Sequence, residues 1–189
     1  MEKVTIGTNA TICPMPVTLI GSVVGGRPNF MTVAFISRVC MDPPLVSMGL
    51  NKRSATREAV LEHKVFSINF PSAGMMKEAD YCGIVSAKNT DKSMLFPVFY
   101  GMLPAAPMIK SCPLSFLCRV IETHDFRSHT CIIGEIVASY MDKSCLTDEK
   151  PDPKKINPLL LTVPDNHYWT LGERVGNAWS AGKELLVKK

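Results

Sequence analysis

The sequence has no apolar run approaching the roughly 18 to 20 residues that a bilayer-spanning helix needs. Its first residues, MEKVTIGTNATICP, hold no continuous apolar stretch of the kind that marks a secretory leader. A membrane role is thereby set aside, and the cytoplasm is the expected location. Nucleotide-loop signatures are missing too. No GxGxxG occurs, Gly176 to Gly182 is too wide for a Walker loop, and Glu184 stands where that loop needs a hydroxyl after Lys183. GxSxG is absent. The histidines, His63, His124, His129 and His167, show neither HExxH nor another metal-binding spacing, and no pair of cysteines forms CxxC, so no metal is expected. A formal charge of +4 is compatible with small anions but too slight to argue for nucleic acid.

What is present is ordinary for a globular protein. The 189 residues are 46% hydrophobic and 20% charged, enough for one domain with a buried core. Seven cysteines, an odd number, cannot form a complete internal disulfide set, and reduced thiols in a cytosolic chain are the simpler account. Most of them read as small buried hydrophobes. His63 is expected to satisfy carbonyls at a helix end, His124 and His129 to flank an exposed hairpin, and His167 to join an aromatic cluster with Tyr168 and Trp169.

Along the chain, strands dominate. PVTLIGSVV (16–24) runs into the glycine-rich turn GGRPN, and NFMTVAFISRVC (29–40) follows, rich in β-branched and aromatic residues. MDPP makes a stop, and LVSMGL (45–50) resumes, which predicts a three-stranded antiparallel meander. Ser54 is a plausible N-cap for a helix reaching His63, with Val60 and Leu61 facing the core. VFSINFP (65–71) reads as a strand buried on both faces, and GMMKEADYCGIVS (74–86) as a second helix. Four prolines between 97 and 113 mark an irregular surface crossing. CPLSFLCRVIETHDF and TCIIGEIVASYMD are two long strands joined at RSH. Residues 142–158 form a charged, proline-rich surface loop within a single domain spanning 1–189. LLLTV is a further strand, and HYWTLGERVGNAWSAGKELLVKK a turn and short helix with a basic tail. About seven strands without strand–helix alternation predict a mainly β fold, an antiparallel closed or split barrel with few helices.

One stretch carries a chemical hint. In LNKRSATRE the cations Lys52, Arg53 and Arg57 sit among the hydroxyls of Ser54 and Thr56, where a strand hands over to a helix. A helix N-terminus leaves backbone N–H groups unpaired and carries partial positive charge, so such a corner suits a phosphate. A capped helix start with ordinary solvated cations is the alternative, and on this stretch alone the simpler one.

Residues 29–72, NFMTVAFISRVCMDPPLVSMGLNKRSATREAVLEHKVFSINFPS, closely resemble the flavin reductase-like family, which includes flavoredoxins. YCGIVSAKNTDKSML (81–95) looks like the family's CG-x-x-S and DK stretch, and HYWTLGERVGNAWSAGK like its C-terminal segment, whereas residues 97–160 match only in general pattern. The resemblance implies an FMN-binding split β-barrel, normally a homodimer with flavin near the subunit interface. It assigns the FMN phosphate to Lys52, Ser54 and Thr56, with Asn51 adjacent and Lys92 of the DK stretch as a further contact. The flavin ring would meet a strand edge at Asn29, Met31, Thr32 and Ala34, with the Thr32 hydroxyl near the ring's N5 and Ser47 and Leu50 lining the slot from the next strand. No acid, base or nucleophile beyond the flavin is implied. The expected activity is an FMN-dependent oxidoreductase moving electrons from NADH or NADPH, or from a redox-protein partner. The alternatives are an FMN-binding electron carrier without substrate turnover of its own, and a flavin-free barrel acting as an interaction module.

Overall fold

The computed structural model describes residues 1–8 and 12–186. Seven strands build the main sheet: β1 (Thr18–Val24), β2 (Arg27–Val33), β3 (Ile36–Cys40), β4 (Leu45–Asn51), β5 (Val65–Phe70), β6 (Leu114–Asp125) and β7 (His129–Met141). Helix α1 (Ala55–His63) precedes β5, and α2 (Met76–Ile84) follows it. The strands pair antiparallel in the order β2-β1-β5-β6-β7-β4-β3. The two edge strands of that order are neighbours in the chain. β2 ends at Val33 and β3 begins at Ile36, so the sheet must curl until its edges meet at Ala34 and Phe35. The result is a mainly β, antiparallel split barrel, as the sequence predicts.

The predicted meander needs correction at this point. NFMTVAFISRVC is two strands on opposite edges, because the Ile36 N–H turns back to the Ala34 carbonyl at 3.0 Å. The Phe35 carbonyl then accepts from Gly49 N–H at 2.8 Å, which ties the bend to β4. The turn between β1 and β2 is made by Gly25 and Gly26, with φ of 56° and 77° that a side chain would oppose.

The barrel interior is filled by Ile20, Met48, Leu50, Phe66, Ile68 and Ile132, all nearly or fully inaccessible. β5 is buried on both faces, as its composition predicts. That burial encloses Asn69, whose amide gives a hydrogen bond to the Leu19 carbonyl and accepts from Ile109 N–H and the Ser115 hydroxyl, at 2.8 to 3.0 Å. A buried amide with both ends paired costs the core little.

α1 starts at Ser54, whose Oγ accepts from Arg57 N–H at 2.9 Å, and ends where Lys64 turns left-handed at φ 59°. It packs on β1, while α2 packs on β2. His63 bonds to the Val23 carbonyl of the β1 end at 3.0 Å, not to its own helix. The proline-rich segment contains two short strands, Val98–Phe99 and Met108–Ile109, and the 142–158 loop holds a short helix, Pro153–Ile156, capped by Asp152. HYW is a strand, not a turn: His167–Trp169 pairs with Leu160–Thr162, which pairs with Met15–Pro16. The Tyr168 hydroxyl holds this small sheet to α2 through Asp80 at 2.8 Å. A 3-10 turn, Ala181–Leu185, replaces the predicted terminal helix, and the basic tail at 187–189 lies outside the described residues. Among the described residues no helix is long and apolar enough to cross a membrane.

Candidate functional site

A groove runs along β2 from the start of α1 to the β2–β3 bend. Three recesses compose it. The first, about 360 Å³, lies between the α1 N-terminus and the end of α2, lined by Asn51, Arg53, Ser54, Thr56, Gly83 and Lys92 among others. The second, about 380 Å³, shares Met31, Asn51 and Gly83 with it and continues past Thr32, Ala34 and His129. The third, about 610 Å³, shares Met15, Ala34, Phe35 and Gly49 with the second and adds Ile12, Ser47 and Cys131. The groove therefore has a cationic, hydroxyl-bearing end and a largely apolar end.

Local sequence explains the cationic end. Ser54 caps α1, so Ala55 and Thr56 occupy the first helical positions, whose N–H groups have no intrahelical acceptor. Asn51 Oδ1 accepts from Arg53 N–H at 3.0 Å and shapes the approach to the helix. The Arg53 guanidinium has no hydrogen bond or ion pair among the described residues. Lys92 is only 4% exposed, yet its ammonium meets no carboxylate. It donates to the Phe30 carbonyl at 2.6 Å and the Val85 carbonyl at 3.3 Å, and one of its three protons is left over. Burial lowers its pKa below the usual lysine value, with the nearby Cys82 opposing the shift. Burial also pushes the Cys82 thiol up to about 11, against the pull of Lys92, so that thiol is neutral near pH 7 and supplies no counter-charge. A buried cation without an anion is costly unless a ligand completes it.

The structure does not gather all the residues that the sequence points to. Asn51, Ser54, Thr56, Lys92, Met31, Thr32 and Ala34 line the groove, and Ser47 lines its far recess. Lys52 does not line it. Its ammonium turns to Asp125 at 3.4 Å, where Arg57 also arrives at 3.4 Å. The Thr130 hydroxyl first, then Lys52 and Arg57, hold the Asp125 carboxyl below the usual range. Leu50 is fully buried in the barrel core, so its side chain fills the interior instead of lining a slot. The Thr32 hydroxyl gives its proton to the Ala79 carbonyl of α2 and is not free to donate into the groove. Asn29 lies behind the groove wall, 3% exposed, donating to Thr56 Oγ1 at 2.8 Å.

Sequence reasoning missed several groove residues, Arg53, His129 and Gly83 among them. Arg53, not Lys52, lines the recess at the helix entry. His129 is half-buried and packs against Phe35 with ring centroids 5.7 Å apart, although its position by a hairpin suggested exposure. Gly83 was legible in principle, since a glycine inside a helix often marks a close approach. A Cβ there would lie 3.4 Å from Thr32 Cβ, an ordinary van der Waals contact, so α2 and β2 approach closely beside the groove.

The split antiparallel barrel is the architecture shared with flavin reductase-like structures. The chain belongs to that family: the family model for the flavin reductase like domain matches residues 10–163. Among solved structures it is similar to flavoredoxin from Methanosarcina acetivorans, 50% identical with a TM-score of 0.95 over 98% of this chain and 100% of that one. It is also similar to flavoredoxin of Desulfovibrio vulgaris (Miyazaki F), 32% identical with a TM-score of 0.89 over 96% of this chain and 100% of that one. The FMN reductase (NADH) SmoA of Agrobacterium fabrum is 29% identical over 123 residues, 64% of this chain and 67% of that protein.

Proposed function

We propose that the groove binds FMN and that the protein is an oxidoreductase of the flavin reductase and flavoredoxin kind. The observation that carries this is Lys92, a buried ammonium with a spare proton and no carboxylate, opening on the same recess as Arg53 and the α1 N-terminus. These donors fit a phosphate: Lys92 and Arg53 supply charge, and the N–H groups of Ala55 and Thr56 with the Thr56 hydroxyl supply direction. The apolar stretch past Met31 and Ala34 fits a flat ring, and Gly49 lines it beside Phe35. The family and the flavoredoxin likeness support the same reading.

FMN, when bound, supplies the two-electron chemistry, and the chain supplies position, charge and exclusion of water. Ser54 and Asn51 order the helix entry, Lys92 neutralises the phosphate, and Thr32 holds α2 against β2 so the slot keeps its width. NADH or NADPH is the proposed donor, in line with the NADH-dependent reductase among the relatives. The working form is a homodimer, in keeping with the exposed Phe35 of the far recess and the exposed Val39 and Met41 at the end of β3. A flavin-free interaction module is disfavoured, because it would leave Lys92 charged and buried to no purpose.

The test is a titration of flavin-stripped protein with FMN and riboflavin. FMN should bind far more tightly, and the yellow absorbance of the complex should fall on adding NADH or NADPH without oxygen. Equal affinity for the two flavins would remove the phosphate site. Tight FMN binding without bleaching by either nicotinamide would leave a carrier fed by a redox protein.

A further inference from the structure

Asn29 and Thr56 form a buried pair behind the cationic end of the groove. We propose that Asn29 is a positioning residue that aims the Thr56 hydroxyl proton at the flavin phosphate. The inference rests on the FMN reading above.

Asn29 Nδ2 donates to Thr56 Oγ1 at 2.8 Å, and both residues are 3% exposed. A threonine oxygen that accepts a bond still has its own proton to give. Among the described residues that proton has no acceptor, and Thr56 lines the recess shared with Arg53 and Lys92. The opposite amide orientation would draw the proton inward and offer an anion only lone pairs, against the charge of its neighbours.

This orientation leaves the other end of the amide unpaired. Asn29 Oδ1 is buried and has no partner among the described residues, as is Ser22 Oγ. Those residues face each other across the β1–β2 ladder. An unpaired buried acceptor is unfavourable, and natural folds keep few of them. Here the amide leaves its oxygen unserved and spends its N–H on Thr56. A groove-lining hydroxyl held from behind by an otherwise unsatisfied amide is what orienting a donor requires.

The experiment measures FMN and riboflavin affinities of the flavin-stripped full chain by fluorescence titration. Asn29→Ala should lower the preference for FMN over riboflavin about tenfold, with riboflavin affinity unchanged. Asn29→Asp should lower it further, since a carboxylate would pull the Thr56 proton inward. Asn29→Ser keeps a small polar side chain in the buried space and should behave as the alanine variant does. Riboflavin binding reports an intact groove in each. In a Thr56→Val background Asn29→Ala should change nothing more, because the residue acts through that hydroxyl. Retention of the wild-type FMN preference in Asn29→Ala or Asn29→Ser, or an equal loss with and without the Thr56 hydroxyl, overturns the proposal. A wild-type protein that does not prefer FMN to riboflavin overturns the phosphate reading instead.

Discussion

Lys92 Nζ lies 2.6 Å from the carbonyl oxygen of Phe30, so a charged side chain from a loop is anchored to the middle of β2. Its pKa is lowered by burial from 10.5. For a lysine this sign means that carrying the charge costs folding stability below the folded pKa. The cost fades as pH rises through that pKa toward the unfolded value. A bound phosphate acts the other way and stabilises the charged form. The ratio of FMN to riboflavin affinity should therefore decline as the pH approaches 10.5 from below, the ring's own titration being common to both. Lys92→Met should weaken FMN by about tenfold or more and riboflavin little, by the same titration. An unchanged FMN constant would place the phosphate elsewhere.

Arg53 and Lys52 are adjacent in sequence but differently placed. Lys52 is engaged by Asp125, whereas the Arg53 side chain opens on the groove. Arg53→Ala should weaken FMN severalfold, and Lys52→Ala should leave it close to wild type. Surface ion pairs contribute about 0 to 1 kcal/mol, so Lys52→Ala should also leave thermal stability almost unchanged. Calorimetry and flavin titration on the two variants decide the matter. A larger FMN defect in Lys52→Ala would reverse the assignment.

Gly134 occupies an irregularity in β7, where the register against β6 shifts between Ile133 and Gly134. A Cβ there would come within 2.5 Å of Phe66 Cζ, and Phe66 is fully buried in the barrel core. Gly134→Ala should destabilise by about 1 to 3 kcal/mol and lower Tm by several degrees in a thermal melt. An unchanged Tm would show that the core can shift to make room.

The cysteines should separate by accessibility in a timed alkylation followed by peptide mapping. Cys13 is exposed and should react first. Burial pushes Cys82 up to about 11 and Cys112 up to about 12, so both should resist iodoacetamide at pH 8 until the protein is unfolded. Rapid labelling of either in the native state would contradict the packing of α2.

The fold was largely legible because alternation, turn residues and caps are local signals. The glycine pair after Val24, the Ser54 cap and the two-faced burial of VFSINFP all lie within short windows of sequence. The break at Ala34 and Phe35 was not legible. It depends on Gly49 reaching across to the Phe35 carbonyl, and the residues themselves suit a strand throughout. The same distinction separates Arg53 from Lys52. Composition placed cations at the helix entry, but which one is free depends on Asp125, far along the chain at the end of β6. Lys92 was legible only through the DK stretch of the family resemblance, since nothing local shows that a lysine beside an aspartate is buried.

The bend at Ala34 and Phe35 joins the two margins of the sheet by peptide bonds where a ladder would otherwise be needed. Nicking the chain between those residues would part the two margins at the corner where they now meet. Unpaired margins of that kind invite sheets from other molecules to dock. The bend that borders the far recess thus sets where the two margins converge, each of them laddered inward to its own neighbour among the described residues.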